Sequence, residues 1–491
     1  MHSSVGVSRA RDTLSVRPVV ADFNERRAAA VRFRRAIVLF EVIADLLTVS
    51  TAITLGYKMY DVLALGKHAH YPARSILVSG FAFAIVMVLM LDRVGAYRGG
   101  NSLLRVRETE QVLRVSAQAF LMVLAVSFFT HLLFSRWLLV LCLCMVPLLL
   151  FVQKSLMYLL IRFFHSRGYG NENVLIYGSG CTGRRVFSAL QRSPKLGLKP
   201  VVFVDDDPSK AGDSVFEMGY ERRRSAPIVP GAVDANLISR YDVDLVIVAI
   251  PSIRRENLIR TINEALLANA RVSLVPTHVL PSDPWVDYQD IDGVLLTSFK
   301  SPSRRLGYES LKRICDVLGS LAIMLLGAPI YLLLALIIKT DSPGPALFRQ
   351  ERVGHNRKIF KMFKFRTMHT NASPYDYSPR SADDMRITRV GRFLRRTSLD
   401  ELPQLLNVLL GHMSLVGPRP EMPFIVEQYS DPHTQRLQVK PGLTGLWQLS
   451  GDRAFLIHEN VEYDLYYIQH RSFFMDLAIL LHTSFFAMRG I

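Results

Sequence analysis

The chain has 491 residues, enough at roughly 150 residues per domain for about three folded units. Half of it is hydrophobic, only 21% is charged, and the mean hydropathy is +0.21, which excludes a disordered protein and places part of the chain in lipid. Lysine and arginine number 59 against 42 aspartates and glutamates, a net charge of +17 that suits an anionic membrane face, nucleic acid or phosphorylated substrates.

The four cysteines, Cys142, Cys144, Cys181 and Cys315, form no CxxC pair, which argues against a zinc site or a disulfide framework and for a reducing compartment. Residues 1–35 are rich in arginine and contain no cleavable apolar segment, so they read as a basic cytoplasmic tail. Apolar runs at 36–57, 75–91, 115–134 and 137–161 each approach the length of a hydrocarbon core and predict a four-helix transmembrane bundle over 36–165. Arg93, Arg98, Arg105 and Arg107 follow the second run, whereas only Ser135 and Arg136 follow the third, which puts both ends of the bundle in the cytoplasm. Glu41 and Asp45 share a face of the first helix, where acids in lipid are costly; they read as interhelical hydrogen-bonding groups, with a pathway as the alternative.

From Asn171 short β-rich runs (174–177, 201–204, 245–250, 272–275) alternate with helical periods, the pattern of a Rossmann-like α/β domain, bounded here at 166–296. Its first strand enters Gly178, Gly180 and Gly183 in a GxGxxG turn, and its second ends in Asp205. Those four residues read either as a dinucleotide cradle, the acid serving ribose hydroxyls, or as a tight strand-to-helix turn that binds nothing. A linker over 297–310 leads to a domain at 311–491 whose apolar stretch, 314–338, is interrupted by Gly327, Ala328 and Pro329. Proline bends a helix, and cations stand at both ends (Lys312, Arg313 and Lys339). The stretch therefore predicts a re-entrant hairpin that breaks at Pro329 and returns to the same face, with a true span as the alternative.

The last third holds the residues with chemistry to offer. Arg386, Arg389, Arg392, Arg395 and Arg396, interleaved with Val390, Phe393 and Leu394, predict a basic amphipathic segment on anionic lipid. Asp400 and Glu401 precede Pro403, a residue at home in a first helical turn. There the helix dipole keeps a carboxylate ionised and helps hold a phosphate. An ionised aspartate can attack phosphorus, and a neighbouring glutamate can ligate Mg²⁺. The competing reading is an ordinary capping box between Ser398 and Glu401. Lys364, Arg366 and Arg419 supply cations that can clamp a diphosphate.

The strings KFRTM (364–368), SLDELPQ (398–404), GPRPE (417–421) and KPGLTGLWQ (440–448), in this order after an apolar hairpin, resemble the bacterial polyprenyl-phosphate hexose-1-phosphate transferases. These are the large monotopic phosphoglycosyl transferases that start exopolysaccharide, capsule and O-antigen units. The resemblance implies a multidomain membrane protein: a four-helix bundle, a Rossmann-like middle domain and an α-rich monotopic catalytic domain. It implies transfer of hexose-1-phosphate, with glucose ahead of galactose, from a UDP-sugar to undecaprenyl phosphate at the cytoplasmic face of the bacterial inner membrane. By carry-over Asp400 is the nucleophile, Glu401 binds Mg²⁺, and Lys364, Arg366 and Arg419 surround the donor phosphates. The implied partners are the two substrates, the bilayer and a second copy of the chain, with no nucleic acid. The family commonly has serine where Ala328 precedes Pro329, which leaves the hairpin angle open; it also has serine where Thr367 stands in KFRTM, a mild change.

Two other classes compete. A membrane-bound nucleotide-sugar dehydratase or epimerase would use Tyr308 and Lys312, a YxxxK pair, but no second GxGxxG turn precedes them. A non-enzymatic nucleotide sensor would leave the Asp400 and Arg419 strings unexplained.

Overall fold

The computed structural model describes residues 17–64, 70–97, 105–130, 134–192, 197–210, 212–216, 225–275, 285–291, 294–300, 306–372, 384–429, 431–449 and 461–488. Its first helices are α1 (Arg17–Leu63), α2 (Ala73–Arg93), α3 (Arg105–Thr130) and α4 (Arg136–Ser166). The α/β segment follows as β1 (Glu172–Tyr177), α5 (Cys181–Arg192), β2 (Leu198–Asp205), β3 (Ser214–Phe216), β4 (Ser225–Pro230), α6 (Ala235–Arg240), β5 (Leu245–Val248), α7 (Arg255–Leu267) and β6 (Arg271–Leu274). The final third comprises β7 (Trp285–Ile291), β8 (Val294–Lys300), α8 (Leu306–Asp341), β9 (Leu347–Val353), β10 (Ile359–Phe365), α9 (Arg389–Thr397), α10 (Gln404–Leu409), β11 (Ser414–Val416), β12 (Gly442–Thr444), α11 (Val461–His470) and α12 (Phe473–Met488). Among the described residues five helices, α1 to α4 and α8, are long and apolar enough to cross a membrane.

The chain divides into two compact units, Met1–Leu103 with Ser135–Val275, and Leu104–Phe134 with Pro276–Ile491. In the first, α1 packs against α2 and α4. Close approach is possible because Gly56 meets Cys142 and Gly80 meets Ile53 with no side chain between the helices. Glu41 and Asp45 face inward, and the basic partner is Lys154 on α4, whose Nζ lies 2.8 Å from Glu41 Oε1 and 2.6 Å from Asp45 Oδ2. The Tyr97 hydroxyl also donates to Asp45 Oδ2, at 2.7 Å. Of the four helices of the predicted bundle, α1, α2 and α4 fall in this unit. Helix α3 belongs to the second unit, where it packs along α12. Its first turns carry the polar groups for that contact: Arg107 donates to the Tyr466 hydroxyl, Thr109 meets His482 Nε2 and Glu110 accepts from Ser472.

The α/β sheet has the order β3-β4-β2-β1-β5-β6, parallel except for β3. Both faces are covered. Along β1, Val174 and Ile176 pack on one side with Phe187, while Leu175 and Tyr177 pack on the other with Ile238, so burial is continuous rather than alternating. In the GxGxxG turn Gly178 has φ +105°, and a Cβ on Gly183 would lie 1.8 Å from the Gly178 carbonyl oxygen. The fold itself therefore requires two of the three glycines; Gly180 has open space around it. The Asp205 carboxylate accepts from the Ser179 backbone N–H at 2.7 Å and hydroxyl at 2.6 Å. Burial would raise its pKa, but these bonds and Lys210 hold it at about 2. Asp205 thus ties the turn to the end of β2.

In the second unit β7 and β8 pair antiparallel, so residues 297–300 of the predicted linker lie in a strand. The predicted hairpin at 314–338 has no turn of its own: α8 runs through Pro329 as one 36-residue helix. Its amino-terminal half is pinned by Arg313, which donates to the Val408 and Leu409 carbonyls, and by Asp316, which accepts from the Leu415 N–H. Its carboxy-terminal half is pinned by Leu334 and Ile338 in a core with Phe365 and Leu394. Between them Leu325 and Leu326 are 67% and 84% exposed. Tyr308 and Lys312 both donate to Asp476 Oδ2, at 2.8 Å each. The YxxxK pair therefore fastens α8 to α12.

Candidate active site

The β9–β10 hairpin forms one wall. Antiparallel pairing sets Arg352 opposite Phe360, Gln350 opposite Met362 and Phe348 opposite Lys364, so Arg352 and Lys364 share one face. Helix α10 is laid on the hairpin by Asn407, a buried amide that accepts from the Phe363 N–H at 2.9 Å and donates to the Lys361 carbonyl at 2.7 Å. This fixes the preceding turn, Leu399–Glu401, beside Lys364.

That turn is a 3₁₀ segment entered through Ser398 in the left-handed region (φ 57°), and the Ser398 side chain makes no capping bond. The capping-box reading is therefore wrong. Asp400 is 8% exposed. Burial pushes its carboxyl above the usual range and Glu401 adds to this, against the pull of Lys364, Arg395 and Arg419. Glu401 behaves oppositely. Burial alone would raise it, but Lys364 and Arg419 outweigh this and hold it at about 2; Lys364 Nζ lies 2.9 Å and Arg419 Nη2 3.4 Å from Glu401 Oε1. Adjacent acids with pKa values driven apart are a frequent mark of a working site.

Arg419 is held through its backbone. Gly417 lies so close to Gly442 that a Cβ on Gly442 would stand 2.0 Å from the Gly417 nitrogen, which lets β11 and β12 pair and sets the GPRPE and KPGLTG strings side by side. The Arg419 carbonyl accepts from Arg436 Nη2. Arg436 is itself locked by Asp464 at 2.7 Å, with the two side chains 2% and 3% exposed. Arg352, Lys364, Glu401, Gln404, Arg419 and Gln448 line one cleft.

Of the residues singled out by sequence, Asp400, Glu401, Lys364 and Arg419 come together, and Arg366 does not. The Arg366 guanidinium is 6% exposed and donates to the Ser342 and Pro343 carbonyls and the Ser342 hydroxyl. It ties down the turn just past α8, because the chain leaves the strand after Phe365 and the side chain falls among the carbonyls that follow the helix end. Gly178, Gly180, Gly183 and Asp205 belong to the first unit. The basic segment is helix α9, capped by Thr388. Arg386 pairs with Asp384, while Arg395 turns inward to the Thr367 hydroxyl at 3.2 Å and toward Asp400. Sequence reasoning missed Arg352, Asn407 and the Arg436–Asp464 pair, and placed Arg395 on the lipid surface. Strand alternation across 347–365 would have put Arg352 on the face of Lys364.

Among the described residues no group of three or more His, Cys, Asp or Glu side chains gathers to hold a metal. Asp400 and Glu401 still match the donor set of Mg²⁺ in phosphoryl-transfer sites, one or two carboxylates completed by substrate phosphate and water.

An acid pair among cations, on a domain with a helix long and apolar enough to cross a membrane, suits a protein that handles phosphorylated substrates at a membrane. Residues 307–490 match the bacterial sugar transferase family, and residues 93–276 match a family described as a CoA-binding domain. The UDP-glucose:undecaprenyl-phosphate glucose-1-phosphate transferase of Klebsiella pneumoniae is 33% identical over 68% of this chain and 71% of that protein. The undecaprenyl-phosphate galactose phosphotransferase of Salmonella typhimurium is 29% identical over 78% of this chain and 81% of that protein. The exopolysaccharide production protein PSS of Rhizobium leguminosarum is 44% identical over 35% of this chain and 92% of that protein. The chain belongs to the bacterial sugar transferase family, among relatives that transfer sugar phosphates to undecaprenyl phosphate.

Proposed function

We propose that the protein transfers glucose-1-phosphate from UDP-glucose to undecaprenyl phosphate at the cytoplasmic membrane face through an aspartyl-phosphosugar intermediate. The observation that carries this reading is the Asp400–Glu401 turn held against Lys364 and Arg419. A carboxylate oxygen of Asp400 attacks the sugar-bearing phosphorus. The phosphorus–oxygen bond to the second phosphate breaks, and its electron pair leaves on UMP. A phosphate oxygen of undecaprenyl phosphate then attacks the same phosphorus, displaces Asp400 as a free carboxylate and gives undecaprenyl-diphosphate-glucose. Lys364 and Arg419 neutralise the diphosphate. Mg²⁺, held by Glu401 with Asp400, would supply further charge neutralisation.

The cytoplasmic, re-entrant placement of α8 draws support from its two anchors. A straight helix would carry Tyr331 about 27 Å along the axis from Arg313. Yet Tyr331 donates to the Leu402 carbonyl and Arg313 to that of Leu409, positions about 10 Å apart at helical rise. A bend near Gly327–Pro329, where a proline lies inside the helix, would shorten that span and suits a helix that returns to the face it left. The donor is tested by incubating solubilised protein with Mg²⁺, undecaprenyl phosphate and either UDP-glucose or UDP-galactose. UMP released from UDP-glucose and lost in Asp400→Asn agrees with the proposal; UDP as the product, or UMP from UDP-galactose alone, contradicts it.

A further inference from the structure

The cleft contains a third cation that the proposed chemistry has not used. Arg352 is 9% exposed and lines the cleft with Lys364, Glu401 and Arg419. Its Nη2 donates to Gln350 Oε1 at 2.7 Å, its Nη1 lies 3.4 Å from the Pro420 carbonyl oxygen and 3.8 Å from Glu421 Oε2, and its Nε has no partner. A guanidinium with a donor left over in a buried setting is costly unless an acceptor arrives. Burial, with the nearby Arg419, lowers its pKa to about 10 against the pull of Glu421 and Glu401, so it stays charged at neutral pH.

Its position in the cleft decides what that acceptor is. Lys364, Glu401, Arg395 and Arg419 act on Asp400. Arg419, Glu421 and Glu401 act on Arg352. Glu401, which adjoins Asp400 in sequence, lies 2.9 Å from Lys364 Nζ and 3.4 Å from Arg419 Nη2, so these two cations stand at the nucleophile's end of the cleft. On the shared face of the hairpin, Arg352 stands opposite Phe360, four residues from Lys364, about 14 Å at strand rise. An in-line displacement puts attacking and leaving oxygens on opposite sides of phosphorus. The leaving phosphate then belongs on the side of the cleft away from Asp400.

We infer that Arg352 binds the phosphate of the departing nucleoside monophosphate, with Arg419 bridging it to the phosphosugar beside Asp400. This inference rests on the phosphotransferase reading above and adds a leaving-group subsite to it. The planar fork of arginine suits two phosphate oxygens, which a lysine point charge cannot match.

The test measures equilibrium binding of UMP and of uridine to the full chain in detergent, for wild type, Arg352→Lys and Arg352→Gln. The expected result is UMP affinity weakened by about tenfold or more in Arg352→Gln, a smaller loss in Arg352→Lys, and unchanged uridine affinity in both. Arg352→Lys, required to melt with wild type, decides the matter if Arg352→Gln does not fold. Equal UMP affinity in all three proteins overturns the inference, as does a parallel loss of UMP and uridine, which marks a general disturbance of the cleft. Either result leaves the phosphotransferase reading standing wherever UMP release by wild type persists. Wild type that neither binds nor releases UMP removes both.

Discussion

Two clusters of buried charge show what distinguishes structural from functional polarity in this chain. Between α1 and α4, Lys154 stands within hydrogen-bond distance of Glu41 and Asp45, and Tyr97 completes the set. Around α10, three cations, Lys364, Arg419 and Arg352, gather on Glu401, the neighbouring Asp400 is pushed toward its neutral form, and one guanidinium nitrogen is left over. The first cluster sets one cation against two acids between packed helices, with Asp45 Oδ1 left without a hydrogen-bond partner. The second lines a cleft and carries a cationic surplus that an anionic substrate would complete. Charge in an apolar setting is no sign of chemistry until its partners have been counted.

The sharpest separation comes from removing one member of each cluster. Asp400→Asn should abolish UMP release, a loss of at least about a thousandfold, while thermal unfolding stays the same or moves up. The sign follows from burial: a raised folded pKa means that stability is lost as pH rises through it, and a neutral amide removes that loss. Lys154→Met should instead destabilise the first unit by about 3–5 kcal/mol, because two acids remain buried without their cation. Adding Glu41→Gln and Asp45→Asn to it should recover much of the loss, as thermal denaturation would show.

Arg366→Gln blurs the two classes if Arg366 binds phosphate and sharpens them if it does not. The structure predicts destabilisation of about 1–3 kcal/mol from carbonyls left just past the end of α8, with an unchanged KM for the UDP-sugar in the folded fraction. The pH profile of the first chemical step is a subtler probe. The nucleophile must be ionised, so its acid limb should lie above the ordinary aspartate value of 3.8, while Glu401, held at about 2, should not add a second limb nearby. The smallest effect belongs to Gly180→Ala, which should change stability by less than about 0.5 kcal/mol. Gly183→Ala, driven into the Gly178 carbonyl, should unfold the α/β segment.

The sequence reading succeeded where a physical period or a tightly spaced string was present. The apolar runs became long helices, the alternation after Asn171 became a sheet parallel but for one strand, and Lys364 and Arg419 lie against Glu401, next to Asp400. It failed where long-range packing decides. Apolar length says nothing about which helix a run packs on, so the packing of α3 along α12 was not foreseen. Charge alone does not show which way a side chain points, so Arg366 was taken for a phosphate ligand although it ties down the turn just past α8. Lys154 sat unremarked in an apolar run, because its acidic partners lie more than a hundred residues earlier.

The central claim is that Asp400 becomes covalently attached to the sugar phosphate. It is tested most directly by mixing the purified protein with the UDP-sugar and Mg²⁺ in the absence of undecaprenyl phosphate, then measuring released UMP and the mass of the peptide that contains Asp400. A burst of UMP limited to one per protein, with a hexose-phosphate adduct on that peptide, is the predicted result. UMP that appears only when the acceptor is added, with no adduct at any time, would mean direct transfer between the substrates and would contradict the account.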